Sequence, residues 1–198
     1  MIIGTHNSAT SSKLVWWLRP LSWLLHLTSR CQDRTIEQQL QDGVRLFNLQ
    51  VCRYMGEWHI SHGLCIYEAK LFPILDELKK HKGIVVQLYL DKNFWVIQNE
   101  EAFVQLIGEV KKRYCSPDFI LHKARIEGTN KYPHKTSYQL SVEEHYWSKD
   151  WSAKLAKHWW EKLPLPKMHA KKYNKTYKAT CKSEYLMLDF YEFAKTFH

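Results

Sequence analysis

Residues 1–8 read Met-Ile-Ile-Gly-Thr-His-Asn-Ser, an apolar and β-prone start that runs directly into a polar cluster. This pattern predicts a short buried strand with a histidine and an asparagine at its carboxyl end. Parallel β/α barrels form their active sites at the carboxyl ends of their strands. The first eight residues therefore predict both a kind of sheet and the place of a candidate site.

Strands and helices are predicted to alternate along the rest of the chain. Apolar runs predict strands over 44–52, 58–60, 84–90, 119–121 and 185–188. A capping box in residues 35–38 predicts a helix over 36–42, and helical spacing predicts two more around 71–78 and 103–110. Such alternation favours a parallel sheet. We expect an α/β fold, a compact, distorted or incomplete TIM-type barrel, with residues 1–198 as a single domain.

Two later segments carry local signals of their own. Ser141-Val142-Glu143-Glu144 has the spacing of a second capping box and predicts the start of a Trp-rich helix. Residues 167–182 contain six Lys and no acidic residue, which predicts a solvated loop. We therefore expect the sheet to end with the strand over 185–188.

Composition excludes several classes of protein. With 45% hydrophobic and 14% aromatic residues but only 7 Gly and 6 Pro, the 198-residue chain is neither disordered nor collagen-like. Its net charge of +9 favours an anionic partner, although charge alone is weak support for nucleic acid, which we consider an unlikely partner. The five Cys show no CxxC spacing, so the sequence predicts neither a zinc site nor a disulfide framework.

Membrane and export signals are also absent from the sequence pattern. The richest apolar run, over 14–27, is interrupted by Arg19 and Pro20, which argues against a spanning helix. No charged, then apolar, then cleavable segment precedes the first strand. We expect a cytoplasmic location or one peripheral to a membrane, while the oligomeric state stays open.

Polar side chains recur at the predicted strand ends. They are His6, Asn7, Asn48, Gln50, His62 and Asp189, with Asp91 and Lys92 after a further strand. Two histidines facing one pocket suit general acid–base chemistry, because imidazole changes protonation state readily near neutral pH. A carboxylate such as Asp189 would orient one of the rings.

At these positions the sequence resembles the catalytic X region of phosphatidylinositol-specific phospholipase C, particularly its bacterial branch. The matching strings, in order, are Gly4-Thr5-His6-Asn7-Ser8, Cys31-Gln32, Thr35-Ile36-Glu37-Gln38-Gln39-Leu40, Gly43-Val44-Arg45 and Ser61-His62-Gly63. The resemblance covers about the first 65 residues strongly and extends weakly to 85–92 and 186–190. Between about 115 and 180 it carries no match.

The resemblance implies an activity and roles for individual residues. It implies attack of the inositol 2-hydroxyl on phosphorus, with release of diacylglycerol and a cyclic inositol phosphate. By the same match His6 is the general base, His62 the general acid and Asp189 the partner of His6. Asn7, Asn48, Gln50, Asp91 and Lys92 are then the expected substrate-binding residues.

The second strand departs from the family pattern. Metal-independent bacterial members have Asp-x-Arg there and calcium-dependent members have Glu-x-Asp, whereas this chain has Asn48-Leu49-Gln50. Neutral amides bind a hard dication weakly, so we expect no metal and no cofactor, with calcium only weakly supported. Either another cation, among Arg53, Lys92 and Lys123, supports the phosphate, or the domain is catalytically impaired and binds a phosphorylated headgroup or a protein partner.

Aromatic residues after the first strand bear on where the substrate resides. Trp16, Trp17 and Trp23 are interspersed with Leu and few charges. Aromatics of this kind suit a bilayer interface, but they equally suit the cover of a barrel mouth. We expect the substrate to be an inositol phospholipid or another phosphodiester with a neighbouring hydroxyl. Peripheral membrane binding through these aromatic residues is one interpretation, and cover of the barrel mouth is the other.

Overall fold

The computed structural model describes residues 1–97, 99–136, 140–145, 163, 165–175 and 183–194. Nine strands in these residues form one sheet: β1 (Ile2–Thr5), β2 (Leu46–Tyr54), β3 (Glu57–His62), β4 (Cys65–Lys70), β5 (Ile84–Leu90), β6 (Phe119–Ile126), β7 (His134–Lys135), β8 (Val142–His145) and β9 (Tyr185–Leu188). The described helices are α1 (Ser22–Ser29), α2 (Ile36–Gln41), α3 (Leu71–Leu78), α4 (Glu100–Tyr114) and α5 (Pro166–Tyr173), with 3-10 turns at Trp16–Leu21 and Tyr191–Phe193.

The sheet is a curled, partly closed barrel. Its strand order is β7-β6-β5-β2-β1-β9-β8, in which every pair except β6 with β7 is parallel, and β3 and β4 extend from β2 as antiparallel strands. Near the open side, Lys123 of β6 makes a 2.9 Å ion pair with Glu144 of β8. A side-chain ion pair therefore joins β6 to β8 near the open side of the described sheet, and the prediction of an incomplete TIM-type barrel is confirmed.

Strand register separates an apolar face from a polar face. Leu49, Leu88 and Ala124 are aligned across β2, β5 and β6 and belong to the main hydrophobic core. Neighbouring residues along a strand point to opposite faces. Two polar rows therefore cross the other face: Asn48, Gln87 and Lys123 in one, and Gln50, Tyr89 and Arg125 in the next.

The polar loop after β1 is held by α2. The capping box of Thr35 and Gln38 is present, as the sequence predicts. From this helix the buried Gln39 accepts a 2.8 Å hydrogen bond from Thr5 Oγ1 and donates one of 2.7 Å to the Ser8 carbonyl. The helix thus anchors both ends of the turn that carries His6 and Asn7.

Two local predictions were wrong. Residues 142–145 form strand β8 rather than a helix, because parallel pairing with β9 and backbone bonds from Glu184 and Tyr185 to Ser141 outweigh the capping signal. Within the expected solvated loop, α5 is a helix that begins at a proline and buries Ala170. The Trp-rich residues 146–160 and the lysine-rich residues 176–182 lie outside the described residues.

None of the helices in the described part of the chain has the length and apolar character required to cross a bilayer.

Candidate active site

A strained turn presents His6 at the end of β1. The His6 N–H donates to the Leu188 carbonyl at 3.0 Å, and the Asn7 N–H donates to Asn48 Oδ1 at 3.2 Å. Asn7 has φ of 47°, in the left-handed region that asparagine adopts more readily than most residues. The turn therefore depends on both neighbouring strands, β9 and β2.

His6 is paired with a buried carboxylate. Its Nδ1 lies 2.9 Å from Asp189 Oδ1, and the side chains of His6 and Asp189 are 12% and 2% exposed. Asn174 Nδ2 donates to the Asp189 carbonyl at 2.7 Å, which fixes the backbone just after β9. A carboxylate at Nδ1 favours the tautomer with its proton there, so Nε2 is the nitrogen that accepts a proton.

His62 faces His6 from the other side of the site. The ring centroids are 6.2 Å apart and the rings are nearly perpendicular, at 81°. His62 Nδ1 lies 2.8 Å from the Ser29 carbonyl, an arrangement in which Nδ1–H donates and Nε2 is left for proton transfer. Burial lowers the pKa of His62 below its usual 6.5, a shift that His6 reinforces and the hydrogen bond to Ser29 opposes.

His62 arrives by a route that differs from the predicted one. It ends β3, which is antiparallel to β2, instead of a parallel strand of the barrel. The long hairpin extends β2 to Tyr54 and then returns, and Gly63, with φ of 60°, turns the chain into β4. The hairpin therefore carries His62 back to the site.

Asn48 and Gln50 lie together on the polar face, as predicted. Asn48 Nδ2 donates to Gln87 Oε1 at 3.4 Å, which adds to its contact with the turn after β1. Gln50 is 5% exposed, and its Oε1 has no partner among the described residues. Asn7 Oδ1 is likewise buried without a partner there. The site thus offers neutral amides where the resemblance implies charge.

Asp91 forms a carboxyl pair with Glu127, a residue that was not among the predicted site residues. Burial and the neighbouring Glu127 raise the pKa of Asp91 well above its usual value. Burial opposes ionisation of Glu127 as well, but hydrogen bonds from Asp91 and from the Lys92 N–H outweigh it and lower the pKa of Glu127. The pKa values of the two carboxyl groups are thus shifted in opposite directions, while the Lys92 side chain is exposed.

Arg125 and Glu127 were not predicted as site residues, because the predicted strand over 119–121 ends before them, whereas β6 runs to Ile126. A register shift between β5 and β6 separates Leu121 from Lys123, and beyond it Arg125 aligns with Tyr89 on the polar face. Arg125 Nε is buried without a partner among the described residues. The signal was present as alternation of Lys123, Arg125 and Glu127 with apolar residues.

The other candidate cations are placed less well. Arg53 is exposed and pairs with Trp58 in the outer part of the hairpin. Lys123 shares the polar face but is bound to Glu144. Arg45, which the sequence places at the entrance of β2, donates to the Leu40 and Val44 carbonyls and so closes the end of α2. Arg125 also lies on this face, where its terminal NH2 donates to the Thr129 carbonyl at 3.4 Å and its guanidinium lies 5.7 Å from the centre of the Tyr132 ring, which leaves Nε available to an anion.

The donor set does not fit calcium. A Ca²⁺ ion favours six to eight oxygen ligands that include carboxylates. Asn7, Asn48 and Gln50 supply neutral amides, and one of them, Asn48, already uses its oxygen for the Asn7 N–H. Burial and Glu127 raise the pKa of Asp91, which disfavours the carboxylate form that calcium binds. The residues present therefore do not fit a calcium ion.

The three predicted aromatic residues divide into two kinds. Trp16 and Trp23 are 73% and 71% exposed, next to exposed Leu21, Leu24 and Leu27. Trp17 instead donates from Nε1 to the Tyr54 hydroxyl at 3.0 Å and packs edge-on to Trp95, with 5.3 Å between ring centroids. Trp17 is thus part of the packing, and the exposed group lies on the elements that lead to Ser29.

The fold is similar to solved bacterial structures. A single-residue mutant of the phosphatidylinositol-specific phospholipase C from Staphylococcus aureus matches with 16% identity and a TM-score of 0.58, over 96% of this chain and 84% of that one. The enzyme from Listeria monocytogenes matches with 15% identity and a TM-score of 0.56, over 96% and 87%. Another S. aureus structure, which concerns modulation of membrane binding, matches with 14% identity and a TM-score of 0.57, over 96% and 85%.

No family model matches the chain, and no curated protein sequence matches it. At 14–16% identity the structural matches show the fold, and they confirm the predicted resemblance at that level. Because the match spans 96% of the chain, it includes the region after residue 115 where the sequence carried no resemblance.

We predict that His62 titrates below pH 6.5 in the free protein. Burial favours the neutral ring. Below pH 6.5 the folded state then binds fewer protons than the unfolded state. Titration of His62 therefore lowers the free energy of unfolding as the pH falls from 6.5 to the pKa of His62 in the folded state. An NMR titration of the assigned imidazole measures the midpoint directly. A midpoint at or above 6.5 would contradict the assignment of His62 as a neutral group.

Proposed function

We propose that the protein is a phosphodiesterase that cleaves phosphatidylinositol, or a related phosphodiester with a neighbouring hydroxyl, by His–His acid–base catalysis. The carrying observation is that His6, paired with the buried Asp189, faces His62 across 6.2 Å between ring centroids. Two imidazoles at this separation can serve the entering and the leaving oxygen of one phosphorus centre. The similarity of fold to bacterial phosphatidylinositol-specific phospholipase C supports the same substrate class.

In the proposed step His6 is the general base and His62 the general acid. His6 Nε2 takes the proton of the inositol 2-hydroxyl while that oxygen forms a bond to phosphorus. The bond from phosphorus to the diacylglycerol oxygen breaks, and protonated His62 gives its proton to that oxygen. The products are diacylglycerol and a cyclic inositol phosphate, with His6 protonated and His62 neutral. Asp189 stabilises the imidazolium that forms on His6.

His62 has to gain a proton before it can act as the acid. In the free protein its pKa is lowered, chiefly by burial. A phosphodiester anion beside the ring favours the charged form and raises that pKa again. The substrate would therefore bring about the protonation state that the reaction needs.

Stabilisation of the phosphate charge is the weak part of the site. Among the described residues, the polar face holds two cations, Arg125 and the Lys123 that is bound to Glu144, while Asn48 and Gln50 contribute amides. Loss of one electrostatic stabiliser costs about 3–4 kcal/mol in such reactions, roughly 10²–10³ in rate. We therefore propose a slow enzyme, and the specific alternative is a domain that binds a phosphorylated headgroup without turnover.

We also propose that the exposed apolar group at Trp16, Leu21, Trp23, Leu24 and Leu27 contacts the lipid surface. These side chains lie on the segment that ends at Ser29, whose carbonyl holds His62. Trp and Leu on one exposed edge suit the headgroup region of a bilayer. The position would bring a lipid headgroup to the catalytic histidines while its chains stay in the membrane.

We predict that His6→Ala and His62→Ala each lower turnover of phosphatidylinositol vesicles by about 10²–10⁴. Phosphorus NMR of the cyclic phosphate product measures the rate. His81→Ala, at the surface after α3, is the matched control and should retain wild-type turnover. Wild-type turnover in either site variant would refute the acid–base assignment.

A second prediction concerns the missing charge. Gln50→Arg combined with Asn48→Asp should raise turnover about tenfold, because a guanidinium binds phosphate oxygens in a bidentate manner and the two side chains share a face. Arg53→Gln, further along β2 and exposed, is the control and should leave turnover unchanged. If the double variant folds and binds inositol phosphate but is no faster, the binding alternative is favoured.

A third prediction separates membrane contact from chemistry. Trp16→Ala with Trp23→Ala should weaken binding to phosphatidylinositol vesicles at least about tenfold in a sedimentation assay, because two exposed interfacial anchors are lost. Hydrolysis of a soluble inositol phosphodiester should stay unchanged. Val104→Ala, exposed on α4, is the control. Equal loss on both substrates would instead assign these residues to packing.

A further inference from the structure

Cys31 is a buried thiol between the two histidines that the proposed reaction does not use. Its Sγ lies 3.8 Å from His62 Nδ1 and accepts a 3.6 Å contact from Asn7 Nδ2. The backbone around it is fixed, because its N–H donates to Thr10 Oγ1 at 2.9 Å and its carbonyl accepts from the Phe190 N–H at 2.8 Å. The thiol thus has a defined position inside the site.

Cys31 forms a cluster of three different metal-ligand types with His6 and Asp189. One ligand atom from each of the three lies within 4.8 Å of the others. Ligand atoms in a tetrahedral zinc site are about 3.3–3.8 Å apart, given zinc-to-ligand lengths of about 2.0–2.3 Å. Shifts of about an ångström or less would bring the set to coordination distance. The three come from separate parts of the chain, which is why Cys spacing in the sequence did not reveal them.

We propose that His6, Cys31 and Asp189 form a binding site for a thiophilic dication such as Zn²⁺, and that the bound ion inhibits the enzyme. A nitrogen, a thiolate and a carboxylate are the donors that zinc accepts, while a fourth position stays open to water. The same donor set disfavours calcium, since it holds a single carboxylate and a sulfur.

Metal binding replaces protons in a definite way. The S–H bond of Cys31 breaks, a sulfur–metal bond forms, and the proton leaves to solvent. Burial and the Asp189 carboxylate raise the pKa of this thiol well above its usual value, so it is protonated in the metal-free protein. The ion also occupies the side chains that form the His6–Asp189 pair, so His6 can no longer serve as the general base.

Cadmium titration tests the site without reference to activity. The parent is the full chain with Cys115→Ser and Cys181→Ser, which removes the exposed Cys115 thiol and a second cysteine outside the described residues. We expect one equivalent of Cd²⁺ to produce an ultraviolet thiolate-to-metal band that Zn²⁺ displaces. Cys31→Ser should abolish the band, and Asp189→Asn should weaken binding at least about tenfold.

Thermal unfolding keeps the test decisive if a variant is unstable. An ion that binds only the folded state raises the melting temperature of the parent. His6→Ala retains the thiol and should lose most of that rise. No band in the parent, or an equal band in Cys31→Ser, would overturn the site.

The proposal that the bound ion inhibits the enzyme rests on the proposed function. In the parent, Zn²⁺ should inhibit turnover of phosphatidylinositol vesicles, and the zinc concentration for half-inhibition should equal the concentration for half-saturation of the binding curve. In Cys31→Ser, the zinc concentration for half-inhibition should be at least about 100-fold higher. If the absorption band appears but the parent shows no turnover, the proposed metal site is supported and the proposed enzymatic activity is refuted. Turnover that zinc leaves unchanged, with the band present, would overturn inhibition.

Discussion

Parallel pairing of β1 between β9 and β2 is the constraint on which the site depends. The ladder with β9 aligns Ile2–Thr5 with Tyr185–Leu188, and the ladder with β2 aligns Gly4 with Leu46. It brings His6 to Asp189, although 183 positions separate them in the chain. The approach is close, because a Cβ at Gly4 would meet Leu46 Cδ2 at 2.8 Å. A side chain at this position would push apart β1 and β2, which hold the turn that carries His6 and Asn7.

The polar face is built at a cost in stability. Asn7 Oδ1, Gln50 Oε1 and Gln87 Nε2 are buried with no partner among the described residues. An unsatisfied buried polar atom costs about 1–3 kcal/mol. Core packing on the opposite face has to offset this, and the aligned Leu49, Leu88 and Ala124 lie in that core. Unpartnered amides side by side are expected where a polar ligand supplies the missing hydrogen bonds.

Local signals predicted the elements whose structure is decided locally. The capping box before Ile36 and the apolar start before His6 depend on neighbouring residues alone, and both elements form as predicted. β8 could not be predicted from its own residues, because its pairing with β9 joins segments about forty residues apart. The sequence predicts that β6 ends at residue 121 because its later polar residues are typical of a strand end. In the structure these polar residues belong to the strand and lie on its polar face.

The site residues divide along the same line. His6, His62 and Asp189 belong to short motifs, and the structure brings them together. Glu127 and Arg125 belong to none of the matching strings, and their places depend on the register of β6. Cys31 lies in a matching string, but its contact with His62 depends on how its loop packs against the site. Their contribution to chemistry arises only in the folded chain.

Charge within the site differs from the charge of the chain. The protein carries +9 overall, but the polar face holds Arg125, a Lys123 already bound to Glu144, and a His62 that burial keeps neutral. Glu127 also interacts electrostatically with both His6 and His62. An entering phosphate therefore meets little fixed positive charge, and protonation of His62 becomes the main source of it. Binding of the anion and protonation of His62 are then one coupled event, because each makes the other favourable.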